Sequence, residues 1–242
     1  MKLYAYAREE GDYRLIDVWE AARIRDREPE LFSKLRYYST ELNLDKRREL
    51  VLVRREGRLF FRYKEQPEEP VSATAQTLTH LKAKEILSRM RRLRFLLPGG
   101  ELTLWVQGWE PEKRILLPEG GMAIADLCCE VMASQPPEAA ARWQGRLLVE
   151  ITVTHPSAPE RIAALESQGW PVIEVPIGPR LRIPEGLGVS EREVRQAEAA
   201  MESCFRHGIR GRIVADPGKT LLQEQPGLWS ALVRFIDEMI TN

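Results

Sequence analysis

Apolar and polar residues alternate over LYAYA (Leu3–Ala7), ELVLVRR (Glu49–Arg55) and GRLFFRYK (Gly57–Lys64). That two-residue period is the signature of half-buried strands, and Glu56-Gly57 between the last two runs predicts a hairpin. Short helices are expected near Asp17–Arg25 and Glu28–Tyr38. QPEEPVSAT (Gln66–Thr74) reads as a connector. The period then lengthens. Leu78, Ile86, Met90, Leu93 and Leu97 fall on one side at helical spacing, which predicts a long helix over Thr74–Leu96, stopped by Pro98-Gly99-Gly100. Strands are expected at Leu102–Trp109, Lys113–Leu117 and MAIADLCCEVM (Met122–Met132), then at RLLVEITVT (Arg146–Thr154), which is rich in β-branched residues.

SAPERIAALESQG follows as a helix, with Ser157 and Glu160 spaced for a capping box, Pro159 in the first turn and Gly169 at the stop. WPVIEVPI (Trp170–Ile177) is a strand again. Strand, helix and strand within about 30 residues predict a right-handed crossover joining two parallel strands. After a Gly/Pro linker at 178–187, a second capping box (Ser190, Glu193) opens a helix to His207. A last amphipathic helix is expected at Gly227–Ile240. The division expected is an N-terminal β-rich unit (1–70), an α/β core of mixed sheet flanked by helices (71–178) and a C-terminal helical extension (179–242).

With 43% hydrophobic and 30% charged residues in 242, the chain carries enough apolar content to fold. Lys plus Arg equals Asp plus Glu at 36 each, which excludes a histone-like protein and an acidic tail. The balance conceals an asymmetry. Residues 1–100 hold 22 basic against 16 acidic side chains, and the remainder hold 14 against 20. No apolar run approaches the roughly 20 residues of a membrane-spanning helix, and the N-terminus turns charged at once. Three cysteines, none at zinc-ligand spacing, fit a reduced cytoplasmic protein.

The chemistry centres on Asp126 and Glu150, carboxylates inside the apolar strands IADLC and LVEITV. Burying a carboxylate is costly unless it is paired or binds a cation. Two carboxylates side by side on neighbouring strands suit Mg²⁺, or Mn²⁺ in its place. His80-x-x-x-Lys84, IADL around Asp126, VEITVTH around Glu150, the helix SAPERIAALESQG and the strand PVIEV together resemble the competence protein CoiA-like group of the PD-(D/E)XK nuclease superfamily, over roughly residues 74–177. A Cys-rich segment that the family usually carries before the helix is replaced here by GRLFFRYKEQPEEP.

The resemblance implies a restriction-endonuclease-like fold and a metal-dependent nuclease acting on DNA, with RNA as a possible substrate, in uptake, recombination, repair or defence. Asp126 and Glu150 would hold the metal with the Ile151 carbonyl. Thr152 stands where the superfamily has its lysine, a position where CoiA-like chains commonly carry glutamine. Lys84 would supply the positive charge from the helix, and His80 would contact phosphate or act as a base.

Lys82, Arg89, Arg91 and Arg92 on the same helix would hold the nucleic-acid backbone, with Arg161 facing a phosphate. The plainer readings are a solvated basic helix face, a structural His80, a turn-forming His155, Asp126 at a strand edge or capping a turn, Glu150 at a surface-facing strand position, and Arg161 as an ordinary surface arginine. Glu174 in PVIEV is a further strand carboxylate behind the site. Trp105, Trp109 and Trp143 are candidates for base stacking or for the core.

PGKT (Pro217–Thr220) lacks the first glycine of a phosphate-binding loop, since position 213 is Ile. Two other functions stay open: a catalytically inactive nucleic-acid-binding or scaffold protein on the same fold, and an interaction module that dimerises through its C-terminal helices.

Overall fold

The computed structural model describes residues 2–41, 44–65, 77–118, 120–154, 156–186 and 188–217. The segment 66–74, His155, the helix expected at 227–240 with its dimer role, and most of PGKT lie outside the described residues. The chain runs β1 (Tyr4–Glu9), β2 (Asp12–Asp17), α1 (Val18–Arg27), α2 (Pro29–Lys34), β3 (Arg36–Tyr38), β4 (Glu49–Arg55), β5 (Arg58–Tyr63) and α3 (Leu78–Ser88). It continues through β6 (Arg92–Leu97), β7 (Gly100–Leu116), β8 (Met122–Gln135), α4 (Glu138–Arg142), β9 (Arg146–Thr152), α5 (Pro159–Ser167), β10 (Val172–Pro176), α6 (Glu191–His207), β11 (Ile209–Arg210) and β12 (Arg212–Ala215). The fold is mixed α/β, with two mostly antiparallel sheets. It divides into two compact units: Met1–Ala83 with Gly178–Glu202, and Lys84–Ile177 with the chain from Ser203. Residues 178–202 thus group with the N-terminal unit, not with the chain that follows them.

The first unit holds the sheet β2-β1-β3-β4-β5, and Lys2 bridges Phe61 of β5, turning the sheet back on itself. Alternation sends Ala5, Ala7, Ile16, Leu50 and Phe61 into one core with Val18, Ala21 and Ile24 of α1. Asp17 caps α1 by accepting from the Glu20 N–H at 2.7 Å. The helix expected over Glu28–Tyr38 stops at Lys34, because RYY joins β1 and β4 as a strand. The capping box of α6 forms as expected, with Ser190 N–H donating to Glu193 at 2.8 Å and Glu193 N–H to Ser190 Oγ at 3.3 Å.

In the second unit the sheet order is β11-β6-β7-β8-β9-β10-β12. Gly211 alone separates β11, parallel to β6, from β12, antiparallel to β10, so this short path closes the sheet edge to edge. A Cβ on Gly211 would come within 3.1 Å of Ile173 and Phe95 and 3.4 Å of the Glu174 carbonyl oxygen, which is why glycine sits at the switch. Strands β7, β8 and β9 form an antiparallel meander, and α5 carries the chain from β9 to its parallel neighbour β10, as the sequence predicts.

The long helix expected over Thr74–Leu96 is corrected. α3 ends at Ser88, and RLRFLL is the strand β6, with Leu93 and Phe95 buried. Leu93 and Leu97 satisfy both periods. The Arg92/Arg94 alternation decides for the strand, and pairing with β7 enforces it. The two strands expected at 102–109 and 113–117 are one, β7, kept continuous through bulges and a positive φ of 55° at Glu112. Among the described residues no helix is long and apolar enough to cross a membrane.

Candidate functional site

In the second unit, side-chain alternation separates two faces of the sheet. Leu127, Cys129, Leu147, Val149, Ile173 and Val175 turn to one side and are buried. Asp126, Leu148, Glu150, Val172 and Glu174 turn to the other. There Ile162 and Leu165 of α5 pack in a core with Leu148 and Val172. The three carboxylates are therefore held under the crossover helix, near the C-terminal ends of the parallel pair β9–β10.

The registers align these acids. Glu112 stands between the pairs Pro111↔Leu127 and Lys113↔Ala125, opposite Asp126. Asp126 is one step beyond Leu127↔Val149, beside Glu150. Glu150 pairs with Glu174, and Glu174 with Arg212 of β12. Four acids and one arginine thus cross five strands in a single row. Each acid has a donor. Lys84 Nζ lies 3.1 Å from Glu112 Oε1. Asp126 Oδ2 accepts the Ile151 N–H at 2.8 Å. Glu174 accepts from Arg212 at 2.7 Å and from the Ser157 N–H at 2.8 Å. The capping box expected at Ser157 and Glu160 is corrected here: α5 has no side-chain cap, and the Ser157 N–H serves Glu174 instead.

Glu150 has the most demanding place. Arg161, in the first turn of α5, grips both its oxygens at 2.7 and 3.1 Å and donates to the Ile124 carbonyl at 2.6 Å. Burial, and next the neighbouring Asp126 charge, still push Glu150 up to about 7 from the usual carboxylate range, against the downward pull of Arg161. Glu174 goes the other way. Burial raises it, but Arg212 and the Ser157 donors together hold it below its ordinary value.

The expected site residues separate. Asp126, Glu150 and Arg161 meet. Thr152 follows Glu150 on the same face of β9 and pairs with Pro176 of β10. Lys84 is buried on Glu112, next in the row to Asp126. His80 lies in the first turn of α3, in the other unit. The expected basic helix is not present as such. Lys82 pairs with Glu198 at 3.2 Å and lies 5.3 Å from the Tyr4 ring centroid. Arg89 is exposed on Glu85. Arg91 and Arg92 lie beyond the helix end, Arg92 over the Trp105 ring at 5.7 Å. Arg161 serves Glu150 and not an open surface.

Trp143 is core, only 1% exposed, and its Nε1–H donates to Asp216 at 2.9 Å. Trp109 donates to the Met90 carbonyl. A cavity of about 480 Å³, lined by Leu97, Leu102, Ala139, Trp143 and Arg212 among others, includes neither Asp126 nor Glu150.

Glu112 and Arg212 are the members the sequence reading missed. Glu112 sits just past the bulge of β7 at Gln107–Glu110, at a positive φ of 55°, and β12 is too short to carry a period.

Whether these residues suit a divalent cation turns on the donors. Among the described residues no group of three or more His, Cys, Asp or Glu is placed to hold a metal ion. Two buried carboxylates side by side do fit Mg²⁺, which takes one or two protein carboxylates and keeps several waters. Arg161 would compete for Glu150. No family model, curated protein or solved structure matches the chain.

Proposed function

We propose that the second unit is a metal-dependent nuclease core that hydrolyses phosphodiester bonds in DNA, of the CoiA-like, restriction-endonuclease-like kind. The observation that carries this reading is the pair Asp126 and Glu150, buried side by side on β8 and β9 beneath a right-handed crossover to a parallel strand. The order of helix, antiparallel meander, crossover helix and parallel strand supports it. Asp126 and Glu150 are the residues that would hold Mg²⁺. When bound, the ion would polarise the phosphodiester and lower the pKa of an attacking water.

The protein's own part is positional. The Ile151 N–H fixes the Asp126 carboxylate, and Arg161 holds Glu150 by both its oxygens. Lys84 is fixed on Glu112, one strand away in the row.

A second reading, a nucleic-acid-binding protein without turnover, is favoured by one observation. Arg161 already occupies both oxygens of Glu150, and Thr152 stands at the lysine position. The test is incubation of the protein with supercoiled plasmid, linear duplex and single-stranded DNA in Mg²⁺ or Mn²⁺, beside the Asp126→Asn/Glu150→Gln variant. Cleavage by the parent alone supports the nuclease. Equal inactivity of two folded proteins that bind DNA supports the second reading.

A further inference from the structure

Two glutamates in register hold the two ends of one short segment. Glu174 of β10 accepts the Ser157 N–H through Oε1 at 2.8 Å. Glu150, its register partner on β9, takes Arg161 at 2.7 and 3.1 Å. Ser157 and Arg161 are four residues apart, close to one helical turn, and the start of α5 lies between them. The second oxygen of Glu174 is held by Arg212 at 2.7 Å. Glu174 and Glu150 are both buried, so each depends on partners supplied by the protein rather than by water.

The body of α5 needs no help from Glu174, because Ile162 and Leu165 pack in a core with Leu148 and Val172. Its entry does. Ala158 at the N-cap has no side-chain acceptor, Pro159 follows it, and no side-chain cap forms. Among the described residues, the hydrogen bonds that tie this entry to the sheet run from Ser157 to Glu174, and from Arg161 to Glu150 and the Ile124 carbonyl. A long arginine side chain loses rotamer freedom when its head is fixed. Its grip on Glu150 therefore depends on how well its backbone is placed beforehand.

We propose that Glu174 is a positioning residue: by anchoring Ser157 it places the first turn of α5 so that Arg161 reaches both oxygens of Glu150, and it thereby sets how strongly Arg161 competes with a cation there. Arg212 supports it by holding the second oxygen of Glu174. The anchoring stands on the protein alone, and the competition rests on the cation centre proposed above. What Glu174 supplies is reach. Glu174→Asp keeps the charge but is one methylene too short to meet Ser157 and Arg212 together. Glu174→Gln keeps the length and an acceptor oxygen for Ser157 and loses the charge.

The experiment compares these two variants of the full chain with the parent. Amide hydrogen exchange is measured first, by NMR and without metal. Ser157 and Ile162, whose N–H groups donate to Glu174 and to the Ala158 carbonyl, are expected to exchange faster in Glu174→Asp, with the β9 amides unchanged and a smaller effect in Glu174→Gln. Mn²⁺ affinity at pH 8, read by electron paramagnetic resonance, is expected to rise about 2- to 10-fold in Glu174→Asp, the worth of one hydrogen bond. In the Arg161→Gln background the same substitution should leave it unchanged. Parent-like exchange at Ser157 and Ile162 in Glu174→Asp, or an equal effect in Glu174→Gln, would overturn the anchoring. A rise in affinity that persists in full in the Arg161→Gln background would overturn its action through Arg161. Absence of Mn²⁺ binding by both the parent and Arg161→Gln would remove the cation centre and the competition with it, while exchange still decides the anchoring.

Discussion

The two sheets handle charge in opposite ways. In the second unit, Asp126, Glu150 and Glu174 lie buried under α5, and donors meet each of them across the row. In the first unit, Arg8 and Arg36 stand exposed beside tyrosines. A buried carboxylate needs a counter-charge or hydrogen bonds inside the protein, so each acid in the row dictates its neighbour. An exposed guanidinium needs none. Charge under a helix therefore reads as a centre that the fold holds together.

The contrast breaks first at the catalytic level. Asp126→Asn is expected to lower Mg²⁺-dependent DNA cleavage on the order of a hundredfold or more, whereas Arg8→Gln/Arg36→Gln, outside the carboxylate row, should leave the rate at saturating DNA unchanged. Initial rates at saturating and limiting DNA separate the two. Removing the divalent ion with EDTA should abolish cleavage.

At the level of stability, Arg161→Ala leaves Glu150 buried beside Asp126 without its guanidinium. We expect a loss of about 3 kcal/mol at pH 8, reduced because Arg161 is itself partly exposed. The loss should shrink near pH 5, where Glu150 is protonated. Arg8→Gln/Arg36→Gln should move stability by less than about 0.5 kcal/mol at either pH. Urea unfolding at both pH values checks the pair.

Gly211→Ala should cost about 1–2 kcal/mol, because its Cβ meets the Ile173 and Phe95 side chains at 3.1 Å where the sheet closes. The same denaturation measurement reads it.

The smallest effect is the pH slope of the intact protein. Glu150 titrates at about 7 in the folded state, above its ordinary value of 4.5, so the folded form holds this proton more tightly than the unfolded form. Its contribution is to lose stability as pH rises from about 4.5 to 7, with the cost complete above 7. Glu174, held below its ordinary value, contributes stability that is present above that value and lost as pH falls. Glu150→Gln should remove the fall between pH 4.5 and 7, as measured by unfolding across that window.

The sequence showed the second unit's centre better than its frame. IADL and LVEITV announce Asp126 and Glu150 because a carboxylate in an apolar strand is conspicuous, and the crossover helix is marked by Pro159 and Gly169. The pattern predicts too long an α3 because Leu93 and Leu97 fit a helix and a strand alike, and only pairing with β7 separates them. On the sequence Arg161 reads as a surface arginine or one facing a phosphate, yet its partner is eleven residues back in the chain and visible only once α5 folds over β9. The Tyr6/Tyr13/Tyr38 face went unread because its members come from three strands and converge only through register. Periodicity reports which side of a strand is buried. It does not report which neighbour completes a row.

The central claim is that Asp126 and Glu150 form a divalent-cation centre for which Arg161 competes. Mn²⁺ titration followed by electron paramagnetic resonance, on the parent, Glu150→Gln and Arg161→Gln, tests it most directly. The account predicts one bound Mn²⁺ in the parent, with affinity rising from pH 6 to 8 as Glu150 loses its proton, tighter binding in Arg161→Gln, and none in Glu150→Gln. Equal Mn²⁺ binding by the parent and Glu150→Gln, or no binding by folded parent and Arg161→Gln at pH 8, would contradict it.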